Sequence, residues 1–122
     1  MKCLDTYALI ETHNENPKIL IYLNEEFVIP SLTMAEFYGV ILREYNEDTA
    51  NYLLKKFQAY IRQVSLDILI KAIKFRYEHK SQNLSFFDCA GYIFAKENNI
   101  KFVTGDKEFK NKEGVEWIGK DN

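Results

Sequence analysis

Four carboxylates, Asp5, Glu36, Asp88 and Asp106, each stand just beyond a short apolar run, and the last lies in the phrase Thr104-Gly105-Asp106-Lys107-Glu108-Phe109. In an open α/β domain the carboxyl ends of parallel strands face one crevice, so acids from distant parts of a chain can meet there. Carboxylates gathered without basic partners repel one another, and a divalent cation relieves that repulsion. The chemistry this points to is metal-assisted hydrolysis, most readily of a phosphodiester. Each acid alone has a plainer reading. Thr33-x-x-Glu36 and Ser85-x-x-Asp88 fit the capping-box pattern, and Asp5 and Asp106 fit simple N-caps. Capping does not require all four to fall on the strand-to-helix side of one small domain, whereas a metal site does.

The remaining polar residues are less telling. Glu11, Glu25, Glu26 and Asp48 follow no strand and read as solvated, while Glu108 could serve as a peripheral ligand through water. His13 and His79 fall in polar segments with no partner motif and read as exposed surface residues rather than bases or ligands. Cys3 and Cys89 are far apart, sit in apolar surroundings and lack the paired spacing of a zinc or redox site, so both read as buried, reduced core residues. Oxygen-only ligation favours Mg²⁺ or Mn²⁺ over zinc.

These acids must be positioned by elements that alternate along the chain. Lys2-Cys3-Leu4 reads as a first strand, followed by a helix that opens at Tyr7. Asn16-Pro17 gives a cap with proline at the first helical position, and Ile19, Leu20 and Leu23 continue a second short helix. Phe27-Val28-Ile29-Pro30 is a brief strand, and Met34, Phe37, Ile41 and Tyr45 then fall at helical spacing, which places Glu36 in the first turn of that helix. Ala50, Leu53, Leu54, Phe57 and Ile61 mark one helix face, and Leu66, Leu69, Ile70, Ile73 and Tyr77 another, with a break near Gln63-Val64-Ser65 that could hold a residue or two of strand. Their outer faces carry Lys55, Lys56, Arg62, Lys71, Lys74, Arg76 and Lys80, read as solvated or as phosphate contacts beside a crevice. Ser85 caps a helix that buries Cys89, Ala90, Ile93 and Phe94 and ends at Asn98-Asn99. Lys101-Phe102-Val103 is a strand, and Val115-Glu116-Trp117-Ile118 an edge strand. The alternation predicts an α/β fold with a mostly parallel central sheet of four to five short strands flanked by helices.

The chain has 122 residues, 47% of them hydrophobic and 15% aromatic, enough for one core and one domain over residues 1–122. A net charge of −2 and a pI near 5.7 exclude a protein that coats nucleic acid by bulk electrostatics, yet admit an enzyme that touches few phosphates. No run reaches the ~18 apolar residues of a membrane span, and charge interrupts the opening Met1-Lys2-Cys3-Leu4-Asp5 too early for a signal peptide. A soluble, cytoplasmic protein without a membrane partner is expected.

Four segments in order, Leu4-Asp5-Thr6-x-Ala8-Leu9-Ile10-Glu11, Ser31-Leu32-Thr33-Met34-Ala35-Glu36, Leu84-Ser85-Phe86-Phe87-Asp88-Cys89-Ala90 and Thr104-Gly105-Asp106-x-x-Phe109, resemble the motifs of the PIN domain family. The likeness is to the single-domain ribonuclease toxins of VapBC toxin–antitoxin modules in particular, and it covers essentially the whole chain. It implies a PIN-like nuclease domain in which Asp5, Glu36, Asp88 and Asp106 bind Mg²⁺ or Mn²⁺ and Thr104 and Thr6 support the site. Asp5 and Asp106 would be shared around the main ion, with Glu36 and Asp88 completing its shell or orienting water. The implied reaction is endonucleolytic hydrolysis of RNA, leaving a 5′ phosphate and a 3′ hydroxyl. The implied partners are an antitoxin protein and a second copy of the chain, met through the apolar helices at residues 17–23 and 50–61. Two positions depart from the family pattern: Tyr7 replaces a small polar residue, and Lys107 stands where some members carry a further acid.

Two other classes remain open. A phosphoryl-receiver module would be of similar size around an acidic magnesium pocket, but it needs adjacent acids after the first strand and a lysine after the last. Here Asp5 is single and no lysine plainly takes that place. A non-catalytic PIN-like scaffold would have no need of all four acids.

Overall fold

In a computed structural model that describes residues 1–120, the chain runs β1 (Lys2–Leu4), α1 (Thr6–His13), α2 (Pro17–Leu20) with a 3₁₀ turn at Ile21–Asn24, β2 (Phe27–Pro30) and α3 (Ser31–Glu44). It continues through α4 (Glu47–Phe57), a 3₁₀ turn at Gln58–Tyr60, β3 (Ile61–Arg62), α5 (Leu66–Glu78), α6 (Phe86–Glu97), β4 (Lys101–Thr104), a 3₁₀ turn at Lys107–Phe109 and β5 (Val115–Trp117). Local chemistry sets many of these boundaries. Asn16 accepts the Lys18 N–H at 3.0 Å ahead of Pro17, Asn46 accepts that of Thr49 at 2.8 Å, and Ser65 that of Ile68 at 3.2 Å, each satisfying an orphan helical donor. Asn99, at φ 55, turns the chain left-handed just past α6 and stops that helix.

The strands form one sheet in the order β3-β2-β1-β4-β5, and every pairing is parallel. Side chains alternate across it as the pleat requires. Leu4, Ile29 and Val103 enter a core with α1, α3 and α4 that includes Leu9, Phe37 and Phe57. Their neighbours Cys3, Val28 and Phe102 enter a second core beneath α5 and α6, with Ala90, Tyr92 and Phe109. The result is a helix–sheet–helix sandwich. From β1 the chain builds outward through β2 and β3, then crosses by α5 and α6 to β4 on the other flank of β1. Strand order therefore reverses between β1 and β4, and the crevice at their carboxyl ends is where such sheets place ligands.

The expected α/β fold with a central sheet of short strands is borne out, and its pairings prove wholly parallel. Both cysteines are buried and unpaired, as expected, and burial pushes the Cys89 thiol up to about 11. No helix among the described residues is long and apolar enough to cross a membrane.

Four local expectations need correction. Ile61 does not extend α4, because the 3₁₀ turn at Gln58–Tyr60 intervenes and Ile61 pairs with Ile29 as strand, two residues before the expected break. α3 begins at Ser31 directly after Pro30, so Glu36 lies in its second turn and Thr33 is an interior residue, not a cap. The stripe Leu66, Ile70, Ile73 and Tyr77 on α5 does not face the core. Their exposures are 73%, 47%, 54% and 69%, while Ala72 is buried and Ile68, Leu69 and Phe75 pack on the second core. His13 and His79 are half-buried rather than exposed: His13 meets the Tyr45 ring edge-on at 4.9 Å, and His79 stacks on Phe75 at 4.2 Å.

Candidate active site

Asp5 leaves the end of β1 and enters the crevice at its deepest point, only 2% exposed. It caps α1 by accepting the Ala8 N–H at 2.8 Å, so the plainer reading of this residue as a cap is correct. The cap does not exhaust its carboxylate. Burial pushes the Asp5 carboxyl up to about 8, against hydrogen bonds from Thr104 and Ala8 that favour the charged form, and the nearby charges of Asp88 and Asp106 add to the rise. Thr104, wholly buried at the end of β4, ties two acids together: its hydroxyl bonds Asp5 and accepts the Asp106 N–H at 3.1 Å.

Asp106 caps the short 3₁₀ turn after β4 by accepting the Glu108 N–H at 2.9 Å. Asp88 arrives on the first turn of α6, where Ser85 caps the helix by accepting the Asp88 N–H at 3.0 Å. Only that half of the capping box forms. The Asp88 carboxyl turns instead to the Ser85 hydroxyl and to Asp106, and its proton affinity is raised by burial, by the hydrogen bond to Asp106 and by the charges of Asp106 and Glu36. Glu36 is supplied by α3 and is held by the Thr6 hydroxyl, which donates to its Oε1.

All four acids thus converge, two from strand ends and two from helices, with Thr104 and Thr6 linking them to the backbone around them. None of the ion pairs among the described residues involves any of the four. The positive charges of Arg76 and Lys112 are felt at Cys89, one residue beyond Asp88. Glu108 is exposed beyond Asp106. Both histidines lie elsewhere.

The donor set fits a hard divalent cation. It is all oxygen, and it includes one carboxyl, that of Asp5, which is buried with no ion-pair partner among the described residues. As they stand, no three His, Cys, Asp or Glu side chains among the described residues are close enough to grip an ion.

Tyr7 is the feature the sequence pattern did not resolve. Its ring lies directly over Gly105, and a β-carbon added there would fall 2.1 Å from the ring. The aromatic residue after Thr6 and the glycine before Asp106 are therefore complementary, one covering the turn and the other making room. Gly105→Ala should cost on the order of 1–3 kcal/mol through overpacking, and Tyr7→Ser in the same chain should recover most of the loss in a thermal melt. A single variant as stable as the parent would mean that the Tyr7 ring does not rest there.

A parallel sheet whose strand order reverses beside a group of converging carboxylates defines an α/β domain with an acidic crevice. Residues 2–115 match the family model of the PIN domain, and the chain belongs to that family, a family of nucleases. Comparison with curated protein sequences gives no match. Among solved structures, a toxin–antitoxin complex from Klebsiella pneumoniae is similar at 22% identity with a TM-score of 0.74, covering 97% of this chain and 100% of that one. The Mycobacterium tuberculosis sarcin–ricin-loop-cleaving toxin VapC20 is similar at 14% identity and a TM-score of 0.77, covering 94% and 97%. DNA-bound VapBC from Salmonella typhimurium is similar at 17% and 0.76, covering 97% and 96%. At these identities the likeness is one of fold.

Proposed function

We propose that residues 1–122 form a single PIN-like nuclease domain that cleaves RNA endonucleolytically with Mg²⁺ or Mn²⁺, as the toxin of a toxin–antitoxin pair acting in the cytoplasm. The observation that carries the proposal is Asp5, a carboxyl buried at the switch point of the sheet near further acids and without a salt-bridge partner among the described residues. Such a cluster is costly for a protein to keep unless a cation or its reaction needs it.

Asp5, Asp106, Asp88 and Glu36 would hold the ion. When bound, the cation supplies a lowered pKa to an attacking water and charge stabilisation to the departing 3′ oxygen. The chain's own residues do the positioning. Thr104 fixes the spacing of Asp5 and Asp106, Thr6 orients Glu36, and Ser85 holds Asp88 at the helix start. Arg76 and Lys112 are suited to contact flanking phosphates. The products would carry a 5′ phosphate and a 3′ hydroxyl.

Structural likeness to toxin–antitoxin complexes supports an antitoxin partner. An apolar cavity of about 420 Å³ between α3 and α4, lined by Met34, Tyr38, Leu54 and Ile61, suits one apolar face of an antitoxin segment. A second copy of the chain is the other expected partner. Incubating the protein with labelled single-stranded RNA tests the enzyme reading: cleavage should require Mg²⁺ or Mn²⁺ and stop in EDTA. Undiminished cleavage in excess chelator would eliminate the metal mechanism, and no cleavage of any RNA would favour the scaffold.

A further inference from the structure

We infer that the hollow between the end of α5 and the connection to α6 is a nucleotide subsite, which takes an unpaired purine of the RNA beside the acidic crevice. The inference rests on the RNA reading above and names what is bound next to the acids. The hollow, of about 500 Å³, is lined by Arg76, Tyr77, Lys80, Gln82 and Asn83 over a floor of buried Leu84. Sites for small ligands have volumes in this range.

The hollow opens at the same end of the molecule as the acids. α5 and α6 run antiparallel: Lys71 bonds Glu97 at the last residue of α6, while Arg76 Nε donates to the Leu84 carbonyl at 2.8 Å just ahead of its first turn. Ser85, the next residue, accepts the Asp88 N–H at 3.0 Å. Leu84 therefore lies at most ~14 Å of extended chain from Asp88. A strand with a phosphate at the acids has neighbouring nucleotides within reach of the hollow.

The lining selects a nucleotide over simpler ligands. The chain carries a net charge of −2, yet two cations and no carboxylate line this hollow. Neither Arg76 nor Lys80 belongs to an ion pair among the described residues, so the hollow attracts an anion. The bond to Leu84 fixes the Arg76 guanidinium and leaves its remaining N–H groups for a phosphate. Tyr77 is 69% exposed, with Lys80 Nζ 4.9 Å from its ring centroid, and the ring offers a face on which a base can stack. The carboxamides of Gln82 and Asn83, both exposed, pair a donor with an acceptor, the combination that matches N6 and N7 of adenine. An acidic peptide would use the cations but neither the ring nor the amides. A duplex keeps its bases stacked and out of such a hollow, whereas single-stranded RNA can splay one into it.

Fluorescence anisotropy of the full chain with labelled hexamers, in EDTA so that the strand stays whole, should show oligoadenylate bound about tenfold more tightly than oligouridylate. Tyr77→Ala should weaken oligoadenylate binding about tenfold, with the circular dichroism melt unchanged because the side chain is exposed. Tyr77→Phe, which keeps the ring, should restore the affinity. Replacing Gln82 and Asn83 together by alanine should level the two oligomers. In cleavage of a randomised RNA with Mg²⁺, the parent should enrich a purine at one fixed position relative to the cut, and Tyr77→Ala should not. Equal binding of both oligomers by the parent, or a Tyr77→Ala chain that binds oligoadenylate as the parent does, overturns the subsite even if RNA is cleaved. Oligoadenylate binding that depends on Tyr77, with no RNA cleaved, upholds the subsite and overturns the enzyme reading alone. Hydrogen-exchange protection of residues 79–85 by an antitoxin but not by oligoadenylate would assign the hollow to a protein and overturn the proposal.

Discussion

Asp5→Asn should lower RNA cleavage by at least ~100-fold while leaving the metal-free protein folded and, at alkaline pH, more stable than the parent. Asparagine caps a helix as well as aspartate does, so the bond from the Ala8 N–H is retained and α1 keeps its start. What changes is charge. Burial, opposed by the Thr104 and Ala8 hydrogen bonds and assisted by Asp88 and Asp106, holds the Asp5 carboxyl up to about 8 in the folded protein, against about 3.9 in an unfolded chain. The folded state therefore binds a proton that the unfolded state gives up early. Stability from this group is complete below about pH 4 and is lost progressively as pH rises through about 8. The variant has no proton to lose, so with EDTA present its melting temperature should exceed the parent's at pH 8.5 by on the order of 5 °C or more. The two should converge near pH 4. Stabilisation by added Mg²⁺ or Mn²⁺ should shrink at the same time. If cleavage and metal stabilisation both survive, Asp5 is only a cap and the metal does not bind at it.

Metal affinity should depend steeply on pH, because burial keeps a proton on Asp5 near neutrality in the metal-free protein and raises the proton affinity of Asp88. An incoming cation must displace those protons. The apparent affinity for Mn²⁺ should climb between pH 5 and 8 by close to tenfold per pH unit for each proton displaced. Calorimetry in buffers of different ionisation enthalpy reads the number released directly. Asp106→Asn should both weaken binding and flatten the slope, since Asp88 then loses the neighbour that raises its proton affinity. An affinity that does not change with pH would mean that the ion binds away from these acids.

The parts of the fold that could be read from sequence are those announced by local chemistry. Asn16-Pro17 and Ser85 begin helices because their side chains satisfy backbone donors that would otherwise be orphaned, and Asn99 ends one because it tolerates a left-handed turn. Periodicity was weaker evidence. It located the stripe on α5 correctly but could not say that the opposite face was the buried one, where Ala72 is small and Ile68 and Phe75 reach the core. It also carried Ile61 into a helix, because a two-residue strand is too short to show a period of its own. Spacing alone matched Thr33 and Glu36 to a capping box that helix entry at Ser31 rules out. The gathering of the acids was legible in their placement after apolar runs. Their bridging through one threonine hydroxyl was not, since it depends on the register that sets Leu4 of β1 beside Val103 of β4.

That same register dictates when the crevice can exist. β1 precedes the other four strands in the chain and lies in the middle of the sheet, yet its neighbour on one flank begins at Lys101. At ~5–20 residues per second, the roughly 100 residues between Asp5 and Asp106 separate their synthesis by about 5–20 s. For most of that interval the second core lacks Phe102 and Phe109, β1 has β2 as its sole strand neighbour, and the buried position of Asp5 has no wall on its β4 side. Contacts of such long sequence separation form late and slowly. A ribosome making this chain is consequently never beside a finished acidic crevice until Asp106 has been added, and a transcript truncated anywhere before Lys101 yields a fragment without that crevice.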